Sequence, residues 1–222
     1  MPNEVLWIGL LVINFSMILL AYKLWGKTGL YIWMGFAIVL ANIQVLKTIE
    51  LFGLVATLGN IIFGSTFLVT DILSEKYSKK EATKAVWMGF FAMIASTAIM
   101  TICLYFIPHA SDFAQESLVT IFSLMPRIAV ASLTAYLLSS HHDVWAYALW
   151  KKKWNKTWIS NNLSTMVSQA IDSVVFCFIA FWGMFPVDVF WQILLTTYVV
   201  KWVVAALDTP FVYIAKRMRP NE

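Results

Sequence analysis

Charge is scarce in this chain: Asp, Glu, Lys and Arg make up 13% of its 222 residues, about half the share of a soluble domain. So few charges cannot cover a water-facing surface, which excludes an ordinary soluble enzyme. Cysteine is nearly absent. Cys103 and Cys177 form no CxxC pair and sit deep in apolar runs, so they read as small core residues rather than a disulfide framework or metal site. Histidine is limited to His109, in a loop, and the adjacent His141 and His142, which point about 100° apart on a helix and chelate one ion poorly. No P-loop, HExxH motif or Ser-His-Asp arrangement occurs, so neither ATP hydrolysis nor a known catalytic constellation is encoded. The first apolar run follows Met1-Pro-Asn-Glu4, with no basic n-region and no small-residue cleavage site. It reads as a span, not a removable signal. Internal repeats, low-complexity segments and a separate soluble domain are missing as well.

What the chain does have is apolar length. Hydrophobic residues reach 60% and the mean hydropathy is +0.75. Divided into runs of about 20 residues, one per bilayer crossing, the sequence predicts an all-α polytopic membrane protein forming a single transmembrane domain over 1–222. Seven spans are expected, near 5–25, 29–46, 55–76, 82–107, 117–150, 158–183 and 187–215. Lys47–Gly53 reads as a short hairpin or re-entrant turn. The run 117–150 is longer than a bilayer needs, so its end from His141 to Trp150 is expected to project or bend along the interface. Thirteen of the 16 basic residues fall in four groups: Lys23 and Lys27; Lys76, Lys79, Lys80 and Lys84; Lys151, Lys152, Lys153 and Lys156; Lys216, Arg217 and Arg219. With seven spans all four groups share one face, and the positive-inside rule places the N-terminus outside and the C-terminus in the cytoplasm. Trp25, Trp87, Trp145, Trp150, Trp154 and Trp158 near predicted span ends suit headgroup depth. The net charge of +4 is therefore a topology signal, and no nucleic acid is expected as partner.

Two cations, Arg127 and Lys201, are predicted near mid-span, where each costs about 2.5–3.5 kcal/mol unless it meets a partner or a wet cavity. Asp71, Asp172 and Asp208 sit at comparable positions, with Glu75 near a helix end. Counting helix rise from the outer ends puts Arg127, Gln169, Asp172, Lys201 and Asp71 roughly 15–21 Å deep, the layout of a midplane solute site. Asn60, Gly64, Asp71 and Glu75 share one stripe of the third span, and Asn161, Ser168 and Asp172 one of the sixth, with Gln169 beside it. Lys201 and Asp208, seven apart, share a face and could pair. The candidate substrate-binding set is Asn42, Asn60, Asp71, Glu75, Arg127, Gln169, Asp172 and Lys201, with no catalytic residue, metal or cofactor. The competing structural reading is an ion-pair network that locks the bundle.

The stretch from Thr57-Leu-Gly-Asn60 through Thr70-Asp71-Ile-Leu-Ser-Glu75 to Glu81-Ala resembles a hallmark of the YhhQ-like queuosine-precursor transporters, also called the vitamin uptake transporter family. Arg127-Ile-Ala-Val-Ala-Ser-Leu-Thr-Ala-Tyr136 is similar to that family's arginine-bearing helix, and Ser168-Gln-Ala-Ile-Asp172-Ser to the next, while Lys201 sits where its last span carries a lysine. The resemblance covers roughly 36–215. It implies import of 7-cyano-7-deazaguanine (preQ0) or 7-aminomethyl-7-deazaguanine (preQ1) across the plasma (inner) membrane of a bacterium or archaeon for tRNA modification. It also implies a six-helix core similar to the substrate-binding components of energy-coupling-factor importers, with an extra N-terminal span. Expected partners are a deazaguanine-type small molecule, the lipid bilayer and, as an open option, a second copy in a homodimer. The alternative is a substrate-binding subunit of an ATP-energised importer for a vitamin or nucleobase. An intramembrane enzyme or sensor using Asp71 and Asp172 as acid and base ranks lower, as does a scaffold.

Overall fold

The computed structural model describes residues 2–154 and 157–221, with the side chains of 143, 144, 147, 148, 150–154 and 157–165 outside the description. The expected basic group at Lys151, Lys152, Lys153 and Lys156, the interfacial Trp150, Trp154 and Trp158, and the stripe position Asn161 therefore fall outside the described residues. The elements run α1 (Asn3–Gln44), β1 (Thr48–Leu51), β2 (Leu54–Thr57), α2 (Gly59–Lys76), α3 (Lys79–Cys103), α4 (Gln115–Phe122), α5 (Met125–Trp154), α6 (Thr157–Phe181) and α7 (Val187–Arg217).

A straight helix as long as α1 would reach about 63 Å, twice a hydrocarbon layer. It does not run straight. Gly26 takes φ 53° and ψ −133°, a conformation open to glycine, and the chain reverses there. Both ends of α1 then meet at the β-hairpin: Asn3 Nδ2 donates to the Glu50 carbonyl (2.8 Å), the Phe52 amide donates to Glu4 Oε1 (3.0 Å), and Gln44 leads into β1. The reversal brings Lys23 and Lys27 to the opposite end. There Lys23 Nζ donates to the Arg219 carbonyl (2.8 Å), Lys27 pairs with Glu81 (3.5 Å), and Lys76 Nζ donates to the Lys216 carbonyl (2.7 Å). Three of the four basic groups are thus gathered at one end, called here the basic end; the other is the hairpin end.

The hairpin pairs Thr48 with Thr57 through Leu51 with Leu54 around Phe52-Gly53, both at positive φ, the two-residue turn whose twist matches its strands. β2 lies on α7: the Val55 amide donates to Gln192 Oε1 (3.0 Å) and Thr196 Oγ1 donates to the Val55 carbonyl (3.0 Å). Residues 55–57, expected to open a helix, are strand instead. Their backbone groups are satisfied by β1 and α7, so helix is not needed to satisfy them.

The run expected over 117–150 is two helices. Ser123 and Leu124 break the helical path, and α5 restarts with Pro126 in its first turn, where a missing amide N–H costs nothing. Cys103 also departs from expectation: it ends α3 exposed, whereas Cys177 is buried.

Among the described residues, four stretches are long and apolar enough to cross a bilayer: Asn3–Gln44, Lys79–Cys103, Gln115–His142 and Val187–Arg217. At most 39% of any of these windows is buried within the protein, and the outward residues include Ile13, Ile32, Phe91, Ile99 and Val130, so the outer surface is oil-facing. The protein is a polytopic helical membrane protein. Besides a small cluster of Ala37, Ala41 and Ile62 between α1 and α2, its interior holds two apolar cores. One joins α1, α2, α3 and the basic half of α7 through Phe15, Tyr22, Met34, Leu68 and Val204; the other joins α5, α6 and the start of α7 through Ile128, Ala131, Cys177, Phe181 and Phe190.

Candidate functional site

The seam between the two cores is not filled. A cavity opens there, lined by Ala41, Asn42 and Val45 of α1, Gly59, Asn60 and Phe63 of α2, Ser132 and Ala135 of α5, Asp172 and Phe176 of α6, and Lys201 of α7. It is narrow, enclosing about 390 Å³ counted out to its mouth. Each polar group in it is held. Asn42 Nδ2 donates to the Ile38 carbonyl (2.7 Å), and its Oδ1 accepts from Ser132 Oγ (2.7 Å). Asn60 Nδ2 donates to the hydroxyls of Thr57 (3.0 Å) and Thr197 (3.1 Å), which ties α2 to α7 and spends both amide protons.

At the floor of this cavity Lys201 forms a buried ion pair with Asp172. Ser139 Oγ donates to the other carboxylate oxygen (3.3 Å), and the ammonium lies 5.1 Å from the centre of the Phe63 ring. Two charges this far from water persist only if each meets the other and further hydrogen-bond or ring partners. The same lysine lines a second cavity on the basic side, with Phe67, Thr70 and Asp71 of α2, Gln169 of α6, and Trp202, Ala205 and Asp208 of α7. That space encloses about 590 Å³ to its mouth and is the wider of the two. The Lys201–Asp172 pair is the partition between them.

Of the residues expected from sequence to bind substrate, Asn42, Asn60, Asp172 and Lys201 meet in the hairpin-side cavity, while Asp71 and Gln169 join Lys201 in the basic-side one. Asp71 and Asp172, considered as an acid and base pair, line different cavities, and Asp172 is engaged by Lys201. Lys201 pairs with Asp172 and not with Asp208, although both Lys201 and Asp208 face the second cavity.

Two expected residues lie apart. Arg127 lines neither cavity: its Nε donates to the Ile179 carbonyl (2.6 Å) and an Nη to the Trp182 carbonyl (2.7 Å), at the C-terminal end of α6. A cation there satisfies carbonyls that the helix leaves unpaired and opposes the helix dipole. Asp172 is seven residues back from Ile179, about 10 Å along the axis, so Arg127 does not share its depth. The depth count from residue 117 misplaced Arg127 because the helix restarts at Met125. Glu75 is half-exposed at the basic end, where its Oε2 meets Lys216 Nζ at 2.8 Å.

Ser132, Phe63, Thr197 and Asp208 complete the site without having been in the expected binding set. Phe63 and Thr197 carried no signal in one sequence, because an aromatic ring or a hydroxyl in an apolar run is ordinary packing. Among the aromatic rings, Phe176 lines the hairpin-side cavity and Phe67 the basic-side one. Tyr136 instead packs on Phe90 and Trp87.

A lipid-facing bundle whose only buried ion pair among the described residues divides two polar cavities is built to hold a solute inside the membrane. Residues 57–215 match the family described as "Putative vitamin uptake transporter". The chain belongs to that vitamin uptake transporter family, a family of transporters and not of enzymes. It is 44% identical over 225 residues to the "Probable queuosine precursor transporter" of Bacillus subtilis (strain 168), a match covering 100% of this chain and 98% of the relative. No solved structure matches.

Proposed function

We propose that this protein imports queuosine precursors, 7-cyano-7-deazaguanine or 7-aminomethyl-7-deazaguanine, across the plasma membrane into the cytoplasm. The observation that carries the reading is the narrow hairpin-side cavity, with one carboxylate, one ammonium and two aromatic rings around it. A deazaguanine presents a ring N–H and an exocyclic amine side by side, which a single carboxylate accepts as a pair; Asp172 is that acceptor. The ligand carbonyl takes a proton donor, supplied by Lys201 once Asp172 has exchanged it for the ligand. Asn42, Asn60 and Ser132 border the ring edge, and Phe63 and Phe176 offer faces for stacking.

Seven spans, with both arms of α1 counted, support an external N-terminus and a cytoplasmic C-terminus, because the basic end gathers Lys23, Lys27, Lys76 and Lys216. The hairpin-side cavity then faces outward and the basic-side cavity inward. Transport moves the ligand past the Lys201–Asp172 partition, with the α5–α6 pair and the α1–α2–α3–α7 group shifting across the seam between their separate cores.

Uptake of labelled 7-cyano-7-deazaguanine into proteoliposomes tests the reading. Saturable uptake by the wild type, competed by 7-aminomethyl-7-deazaguanine and not by guanine, is expected, with loss in Asp172→Asn. A correctly inserted wild type that neither binds nor accumulates any deazaguanine sinks it.

A further inference from the structure

The basic-side cavity contains a charge imbalance that the ligand does not explain. α2 and α7 run parallel and in contact: Asn60 meets Thr197, Gly64 faces Val204 so closely that a Cβ would sit 2.6 Å from its Cγ1, and Glu75 meets Lys216. Asp71 and Asp208, one on each of these helices, both line the cavity, Asp71 exposed and Asp208 buried. Asp208 is 3% exposed and makes no hydrogen bond or ion pair among the described residues. Lys201, the nearest lysine on its helix, is committed to Asp172. On a third helix Gln169 lines the same space, and its buried Oε1 accepts no hydrogen bond among the described residues. Thr70 adds a hydroxyl whose proton goes to the Phe67 carbonyl, leaving its oxygen lone pairs free to face the cavity. The donor set is all oxygen and carries two negative charges. Carboxylates placed there need a positive charge.

We propose that Asp71 and Asp208 hold a monovalent cation, Na⁺ or a proton, whose occupancy is coupled to ligand binding through Lys201. The inference rests on the transporter reading for its coupling step, not for the cation site itself. With the cation bound, the carboxylate pair keeps one negative charge instead of two, and Lys201 stays on Asp172, closing the partition. With the cation gone, two bare carboxylates draw the ammonium toward the basic side and free Asp172 for the ligand. Each occupant thereby biases the other by the same factor. Other charged or titratable groups around the pair are Glu75 one turn along α2, Asp172 on α6, Lys201 on α7, and His142 of α5, which meets Ser168 beside Gln169 (3.0 Å).

The test uses the purified full-length protein in nanodiscs without ligand. Its melting temperature is followed in NaCl against choline chloride and from pH 5.5 to 8.5. The wild type is expected to gain about 3 °C or more from Na⁺, if sodium is the occupant, or from acid, if the proton is. Asp208→Asn and Asp71→Asn, which mimic the neutralised carboxylates on two different helices, should lose that response. A wild type indifferent to both, or variants that keep the wild-type response, overturn the cation site, since Glu75, Asp172 and His142 remain in both variants. A second arm measures 7-cyano-7-deazaguanine affinity under the same conditions. About a fivefold or larger cation effect in the wild type, absent in both variants, confirms the coupling. An unchanged wild-type affinity overturns it. No ligand binding by any form defeats the deazaguanine reading and with it the coupling, while the melting data still decide the cation site.

Discussion

The middle and the basic end of α7 each carry a lysine bound to a carboxylate, and the two pairs do different work. Lys216 meets Glu75 in the open, with side chains 42% and 50% exposed, so water can replace either partner at little cost. Lys201 meets Asp172 where neither is wet, in contact with Ser139 and the Phe63 ring. Removing one partner there strands a charge in oil. Exposed pairs fix which end of the bundle faces a charged surface, whereas the buried pair is a standing cost that a ligand can relieve by supplying a better partner. Arg127 is a third case: its charge is spent on the carbonyl end of α6 and not on a carboxylate.

The sharpest way to break this contrast is at Lys201. Lys201→Met should cost about 3–5 kcal/mol in a reversible unfolding titration, because Asp172 loses its countercharge. The double variant Lys201→Met/Asp172→Leu should recover most of that loss and still fail to bind deazaguanine in isothermal titration. If the double variant binds normally, the pair is only a lock. Next in size is Gly64→Leu, which drives side-chain atoms into Val204. It should destabilise by about 1–3 kcal/mol in the same titration and shift α2 against α7, weakening ligand affinity although Gly64 lines neither cavity. Arg127→Gln should lower stability by about 1–2 kcal/mol through the lost charged hydrogen bonds, with ligand affinity unchanged. A large affinity loss there would return Arg127 to the site. Smallest of all, Glu75→Gln should leave the melting temperature and the uptake rate at wild-type values; a clear drop in either would show that the rim pair is not idle.

Much of this was legible in the sequence, because cost is legible. A lysine and an aspartate deep in apolar runs announce themselves, and Asn42, Asn60, Asp172 and Lys201 do converge. Lys47–Gly53 reads as a short hairpin or a re-entrant turn; a hairpin forms there, and its second strand runs on to Thr57. The errors came from treating helices as straight and continuous. Arg127 was set at the wrong depth because Pro126 restarts the helix, and the strand at 55–57 was read as helix because apolar β-branched residues suit both. Glu75 shared a stripe with Asn60 and Asp71, and that stripe is real, since all of it faces α7. A stripe fixes direction, though, and not whether its far end reaches a cavity or open water.

By itself, then, the sequence determined the solvent of this protein and the identity of its expensive residues, because hydropathy and charge are properties of side chains one at a time. Tertiary structure alone decided who meets whom. It chose Asp172 over Asp208 as the partner of Lys201, spent Arg127 on a helix end, and left two carboxylates lining one cavity. Those outcomes depend on helix register and on where chains reverse, and register is set by packing between segments from 29 to 137 residues apart, which no local pattern encodes.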